Sequence, residues 1–175
     1  MQFTDAQGVA KGKYLPLHQL PTALDTGAGF AGPSIVATGL PRTGPRGEFY
    51  ARGDLGTLRA LPFMPGVARL VGDGFVDDQP FDGCPRQVLR RAQARLAARG
   101  WTLQLGIEPE FFLLRRDGAG YVAADAFDAL DKPSYDLKAL PRRFGFLHAL
   151  RGTLEACGLQ VLQIDHEDAH GQYEL

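Results

Sequence analysis

The sequence predicts an α+β protein in two parts, and three observations carry that prediction. Residues 1–83 are short β-like runs broken by Gly and Pro; helical periodicity begins at Pro85; and two successive helix, glycine, strand units then each finish in carboxylates. With 175 residues, 45% of them hydrophobic, the chain can bury the core of one medium domain or two small ones.

In the first part, Phe3 to Asp5 and Lys11 to Leu15 flank a turn at AQG, and EFYAR (48–52) and VARLV (67–71) read as further strands. The Gly- and Pro-rich stretch 25–47 can serve either as a binding loop or as a plain surface connection, because its backbone can take turns and close approaches. In the second part, residues 85–100 predict an amphipathic helix with Pro85 at its start and Gly100 as its stop; Val88, Leu89, Ala92 and Leu96 form its apolar face. Arg90, Arg91, Arg95 and Arg99 fall on the polar face, which predicts a solvated surface rather than a nucleic-acid stripe. A strand is expected over 102–115. A second helix is expected over 140–158, with Phe144, Leu147, Leu150 and Leu154 inward, followed by a strand over 159–167. The domains drawn from this are 1–83 and 84–175.

Lys plus Arg total 19 against 20 Asp plus Glu, so bulk charge gives no reason to expect nucleic acid or an anionic membrane as partner. Cys84 and Cys157 are too few for a disulfide framework or a zinc site, which suits a reducing, cytoplasmic setting. The start resembles no secretion signal, and no run reaches the ~18 apolar residues of a membrane span. The expectation is a soluble, unprocessed chain. Its stop at Tyr173, Glu174 and Leu175, with no closing turn or tail, is read as a truncation or fragment.

The chemistry lies in two acidic stretches. In QLGIEPEFFLL (104–114), Glu108 and Glu110 share one face of the expected strand with backbones roughly 6.5–7 Å apart. Pro109 between them has no N–H for a ladder, which places the pair at a sheet margin. Two such carboxylates are either simply solvent-exposed, or crowded so that their pKa values rise or a cation neutralises them. In QIDHEDAHGQYEL (163–175), Asp165, Glu167 and Asp168 precede a turn around His170 and Gly171, and Glu174 follows on a returning strand. Glu108, Glu110, Glu167 and Glu174 together would form an oxygen-rich cage suited to Mg²⁺ or Mn²⁺. His166 and His170 are read as hydrogen-bond partners rather than ligands. No GxxxxGK[ST] phosphate loop occurs, and any ATP is expected to be held by metals.

GIEPEFFLL resembles the G-x-E-x-E-F-F-L signature of the glutamine synthetase family, and HEDAHGQYEL resembles its H-E-…-G-Q-x-E segment. FTDAQGVAKGKYLP, GFAGPSI and DGCPRQVLRRA extend the resemblance, in order, over nearly the whole chain. The wording QIDHEDAxGQxE, with GLPRTGPRGEFY, is most similar to the branch of glutamate–methylamine ligases and related γ-glutamyl amide ligases. The resemblance implies an N-terminal β-grasp domain followed by the start of a catalytic domain with a curved antiparallel sheet. It implies that ATP phosphorylates glutamate's side-chain carboxylate, that an amine or ammonia displaces the phosphate, and that two or more Mg²⁺ or Mn²⁺ ions assist. Glu110, Glu167 and Glu174 would hold the metal near glutamate and the γ-phosphate, and Glu108 would help hold the second, nearer the ATP phosphates. The whole protein would form a homo-oligomeric ring with sites between subunits.

Two departures qualify these expectations. GFAGPS carries Ala31 where the family's F-D-G-S-S loop has an ammonium-binding Asp, and a methyl group cannot attract ammonium or take its proton, so an alkylamine acceptor such as methylamine is favoured over ammonia. The chain also stops before the family's further metal ligands and phosphate-binding arginines, so this polypeptide alone is expected to be inactive and catalytic residues are not assigned. His170, where this branch often has Asn, is read as neutral. The runners-up are an ammonia-using glutamine synthetase and an inactive relative serving regulation or assembly; all four glutamates count against the latter, because clustered carboxylates without a use cost stability. A plain α+β domain that matches by chance is made improbable by the ordered series of motifs.

Overall fold

Strands β1 (Gln2–Thr4) and β2 (Ala10–Gly12) form the first hairpin of a computed structural model that describes residues 1–44 and 47–175. Pro45 and Arg46, part of the expected 25–47 loop and of GLPRTGPRGEFY, lie outside the described residues. Chain contacts divide the molecule into two units, Met1–Gln104 and Leu105–Leu175.

In the first unit, α1 (Leu20–Asp25), β3 (Ala28–Ala31), β4 (Glu48–Ala60), β5 (Ala68–Val76), β6 (Gln79–Pro80) and α2 (Pro85–Ala97) follow the hairpin. The sheet order is β2-β1-β5-β4-β3 with β6 on β5; β1 runs parallel to β5, and the other pairs are antiparallel. The AQG turn forms because the Asp5 carboxylate accepts from the N–H groups of Gln7 and Val9. β4 and β5 run well beyond the short strands expected there, since each gains a long antiparallel neighbour. Phe3, Ile35, Phe49, Ala51 and Val76 make the core. The Phe3 and Phe49 rings sit 4.7 Å apart and Phe81 meets Phe49 edge-on at 6.0 Å. Each such ring contributes about 2–3 kcal/mol by leaving water. Ala28–Ala31, expected as loop, is a strand because it pairs residue for residue with Glu48–Ala51.

Helix α2 differs from expectation in how it docks. Val88 and Leu89 are about half exposed, while Gln87 is buried and donates to the Gly74 carbonyl at 3.3 Å. Arg86 bonds Asp73 at 2.7 Å and Asp54 at 2.9 Å, and Arg90 reaches the same two carboxylates at 2.8–2.9 Å. Arg91 pairs with Asp82. Arg90 and Arg91 therefore serve ion pairs rather than a merely solvated face. Burial pushes the Asp73 carboxyl up, but hydrogen bonds and charge from Arg90 and Arg86 outweigh it and hold the group below its ordinary range. These bonds tie 85–97 to the first unit, so the change of periodicity near residue 84 and the division of contacts at 104/105 fall at different places.

The second unit holds β7 (Glu110–Phe112), β8 (Leu114–Asp117), β9 (Gly120–Ala123), α3 (Ala139–Arg142), α4 (Phe144–Ala156), β10 (Asp165–His166) and β11 (Gln172–Glu174). The strand expected over 102–115 is corrected to β7 and β8, and that over 159–167 to β10. The apolar stretches 101–109 and 159–164 have no ladder partner among the described residues, and a strand exists only where a neighbour takes its backbone bonds. The helix expected over 140–158 breaks at Arg143, where Arg142 bonds Asp125 and Arg143 bonds the Ala124 carbonyl. Leu147 is buried, but Phe144, expected inward, is 63% exposed and stacks on His148. Among the described residues, no helix is long and apolar enough to cross a membrane.

Candidate metal centre

Three short strands in the order β10-β11-β7 build the centre, and their register sorts two kinds of chemistry onto two faces. Asp165 stands opposite Glu174, which stands opposite Glu110; the adjacent row is His166, Tyr173 and Phe111. Successive strand residues point to opposite faces, so one face carries a line of carboxylates and the other a line of rings. The ring face is the core. His166 and Tyr173 are fully buried with rings 5.0 Å apart, Phe111 stacks on Tyr173 at 6.0 Å, and Phe146 of α4 meets Phe111 at 6.1 Å. Burial of the rings holds the acidic face in place.

The turn between β10 and β11 completes the arrangement. Glu167 N–H donates to the Gln172 carbonyl and Gln172 N–H to the Ala169 carbonyl, both at 3.0 Å. Gly171 takes φ +77°, and a Cβ there would lie 2.7 Å from the Leu113 carbonyl oxygen, so the turn admits only glycine without strain. The Gln172 amide donates to Glu110 at 2.6 Å while its oxygen accepts from Ala169 N–H. Carboxylate oxygens of Asp165, Glu167 and Glu174 come to lie within 4.8 Å of one another. Burial, a hydrogen bond with Glu167, and the charges of Glu108, Asp165 and Glu167 push the Glu174 carboxyl up to about 7. Asp165 Oδ1 is buried with no hydrogen-bond partner among the described residues. A hard divalent cation fits this donor set: it would neutralise the crowded charge and supply a partner for the orphaned oxygen.

Of the four expected ligands, Glu167 and Glu174 meet directly. Glu110 lies across from Glu174 but gives one oxygen to Gln172, and Glu108 is exposed, outside any strand, and felt at Glu174 through its charge. Asp165 was missing from the expected set, although its spacing of two from Glu167 was the available signal. His166 turns to the core, and His170 faces the Leu130 carbonyl at 2.8 Å. Ala31 is exposed at the end of β3, opposite Glu48.

Residues 82–175 match the model of the glutamine synthetase catalytic domain. The chain is 42% identical over 175 residues to a glutamate–methylamine ligase of Methyloversatilis universalis, covering 99% of this chain and 39% of that protein. It is 36% identical over 175 residues to a glutamine synthetase of Rhizobium leguminosarum bv. phaseoli, covering 100% of this chain and 39% of that one. A solved structure described as "GmaS/ADP complex-Conformation 1" superposes with a TM-score of 0.85 at 35% identity, covering 99% of this chain and 39% of that one. The chain thus spans about two-fifths of the length of the curated relatives it matches. With a matched segment of more than half its residues, the chain belongs to the glutamine synthetase family.

Proposed function

We propose that this chain contributes the metal-binding carboxylates of an ATP-dependent ligase that joins an amine to the γ-carboxylate of glutamate through γ-glutamyl phosphate. The observation that carries the reading is the meeting of Asp165, Glu167 and Glu174 within 4.8 Å on one face of a sheet whose other face is core. Glu167, Glu174 and Asp165 would hold one Mg²⁺ or Mn²⁺, with Glu110 across the strand pair; Glu108 would serve a second. Such cations neutralise charge on phosphate and carboxylate oxygens, the main requirement of phosphoryl transfer. The chain's own part is positioning: Gln172 fixes the Glu110 carboxylate, and the buried rings keep the acidic row from turning inward.

The first unit is proposed as a β-grasp domain, supported by β1 lying parallel to β5 between antiparallel neighbours and by α1 against β4. Cytoplasmic location and a ring of subunits around shared sites belong to the same proposal. Ala31 favours an alkylamine such as methylamine over ammonia, as does the resemblance to a glutamate–methylamine ligase. The similarity to glutamine synthetases keeps ammonia as the second reading.

The test is phosphate release by the product of the full reading frame that carries this chain, with ammonium, methylamine, ethylamine and longer amines compared at fixed glutamate and ATP. Methylamine or a near homologue is expected to be the best acceptor. Ammonium in first place would transfer the assignment to glutamine synthesis; no release with any amine, despite bound metal, would indicate an inactive relative.

A further inference from the structure

Clustered carboxylates push their strands apart, and what resists that push lies behind the hairpin. The side chain of Asp128 is 1% exposed and that of His166 is 0% exposed. A single oxygen, Asp128 Oδ2, bonds His166 Nε2 at 2.8 Å and also accepts from the Gly171 N–H. His166 Nδ1 faces the carbonyl oxygen of its neighbour Glu167 at 2.8 Å. One buried carboxylate therefore ties β10 to the turn that leads into β11, and the imidazole passes that hold to the Glu167 backbone. The residues that follow strengthen the strap: Ser134 donates to Asp168, and Tyr135 N–H donates to the His166 carbonyl at 2.9 Å.

We propose that Asp128 is a positioning residue for the metal centre, its buried oxygen joining His166 to Gly171 so that Asp165, Glu167 and Glu174 keep the spacing that takes one divalent cation. The proposal rests on the metal-binding reading above and adds a residue that touches neither metal nor substrate. A buried carboxylate is a costly way only to fill space. Here it satisfies two donors, one on β10 and one in the turn that leads into β11, which an apolar side chain of similar size could not do.

The experiment is Mn²⁺ titration of the product of the full reading frame that carries this chain, followed by the electron paramagnetic resonance signal of free Mn²⁺, alongside D128A, D128N and D73A. Thermal unfolding is recorded on the same samples. D128A is expected to bind Mn²⁺ about 10–100-fold more weakly, the usual effect of losing a partner that orients a ligand. D128N, whose amide oxygen can still accept from Gly171, is expected to lose less. D73A removes a carboxylate of the first unit that bonds Arg86 and Arg90; it should lower the melting temperature and leave Mn²⁺ affinity unchanged. If the wild-type chain takes up no Mn²⁺, the metal reading fails and this inference with it. If wild type binds but D128A binds equally well, or D73A weakens binding as much as D128A, the positioning role alone is overturned. Should D128A not fold, D128N decides: unchanged affinity overturns the proposal, and a loss of about threefold or more at a near-wild-type melting temperature supports it.

Discussion

Asp165 on β10 and Glu174 on β11 stand directly opposite one another, on the face away from His166 and Tyr173. Like charges directly across an antiparallel pair repel. The arrangement therefore costs the chain stability when no cation is bound, and the following expectations start from that tension.

Glu174→Gln should weaken Mn²⁺ binding at least tenfold and, without metal, stabilise the chain near pH 7–8. A carboxyl raised from 4.5 to about 7 on folding holds its proton more tightly in the folded chain, so stability is lost as pH rises through that interval. Gln does not titrate, and the variant's melting temperature should be flatter between pH 5 and 8. A wild type whose stability does not fall over that range contradicts the crowding.

Acid should act in the opposite sense at Asp125. Burial pushes its carboxyl up, but a hydrogen bond from Arg142, one from Phe127 N–H, and the charges of Arg142 and Arg143 leave it below 3.8. Its stabilising contribution is complete above the unfolded value and is lost as pH falls through the lower folded one. Melting curves between pH 5 and 2.5 should show the loss, and D125N should remove part of that dependence. Breaking the pair with D125A should lower the melting temperature at neutral pH.

Gly171→Ala should destabilise the second unit by roughly 1–3 kcal/mol, because a non-glycine residue would sit at φ +77° against the Leu113 carbonyl. Mn²⁺ affinity should fall with it, since the turn sets the reach of Glu174. Calorimetric titration beside thermal unfolding would show both, and unchanged values for both would contradict the turn geometry.

Phe49→Ala should cost about 3–5 kcal/mol in chemical denaturation, as expected for removing a buried ring. Phe49 is 2% exposed and touches Phe3, Phe30 and Phe81. A loss under about 1 kcal/mol would mean the core can close around the gap.

The amphipathic helix after Pro85, the hairpin turn at AQG and the returning strand at Gln172–Glu174 were legible because they are local: proline and glycine punctuation and alternation leave marks in a few residues. Glu167 and Glu174 could be placed together because a turn between them was readable. Strand length was not, since 101–108 looks as strand-like as Ala68–Val76, and among the described residues only the latter is paired in a ladder.

What the sequence by itself determined is the inventory: acidic side chains alternating with apolar ones, and a glycine where the chain must turn. Only the tertiary structure decided which carboxylates meet, because cross-strand register, not spacing along the chain, sets Asp165 opposite Glu174 and Glu174 opposite Glu110. It also decided that Asp128, 38 residues before His166, is the group that holds the hairpin from behind. A buried hydrogen bond between distant residues leaves no periodic trace, for its geometry exists only after the chain has closed around it.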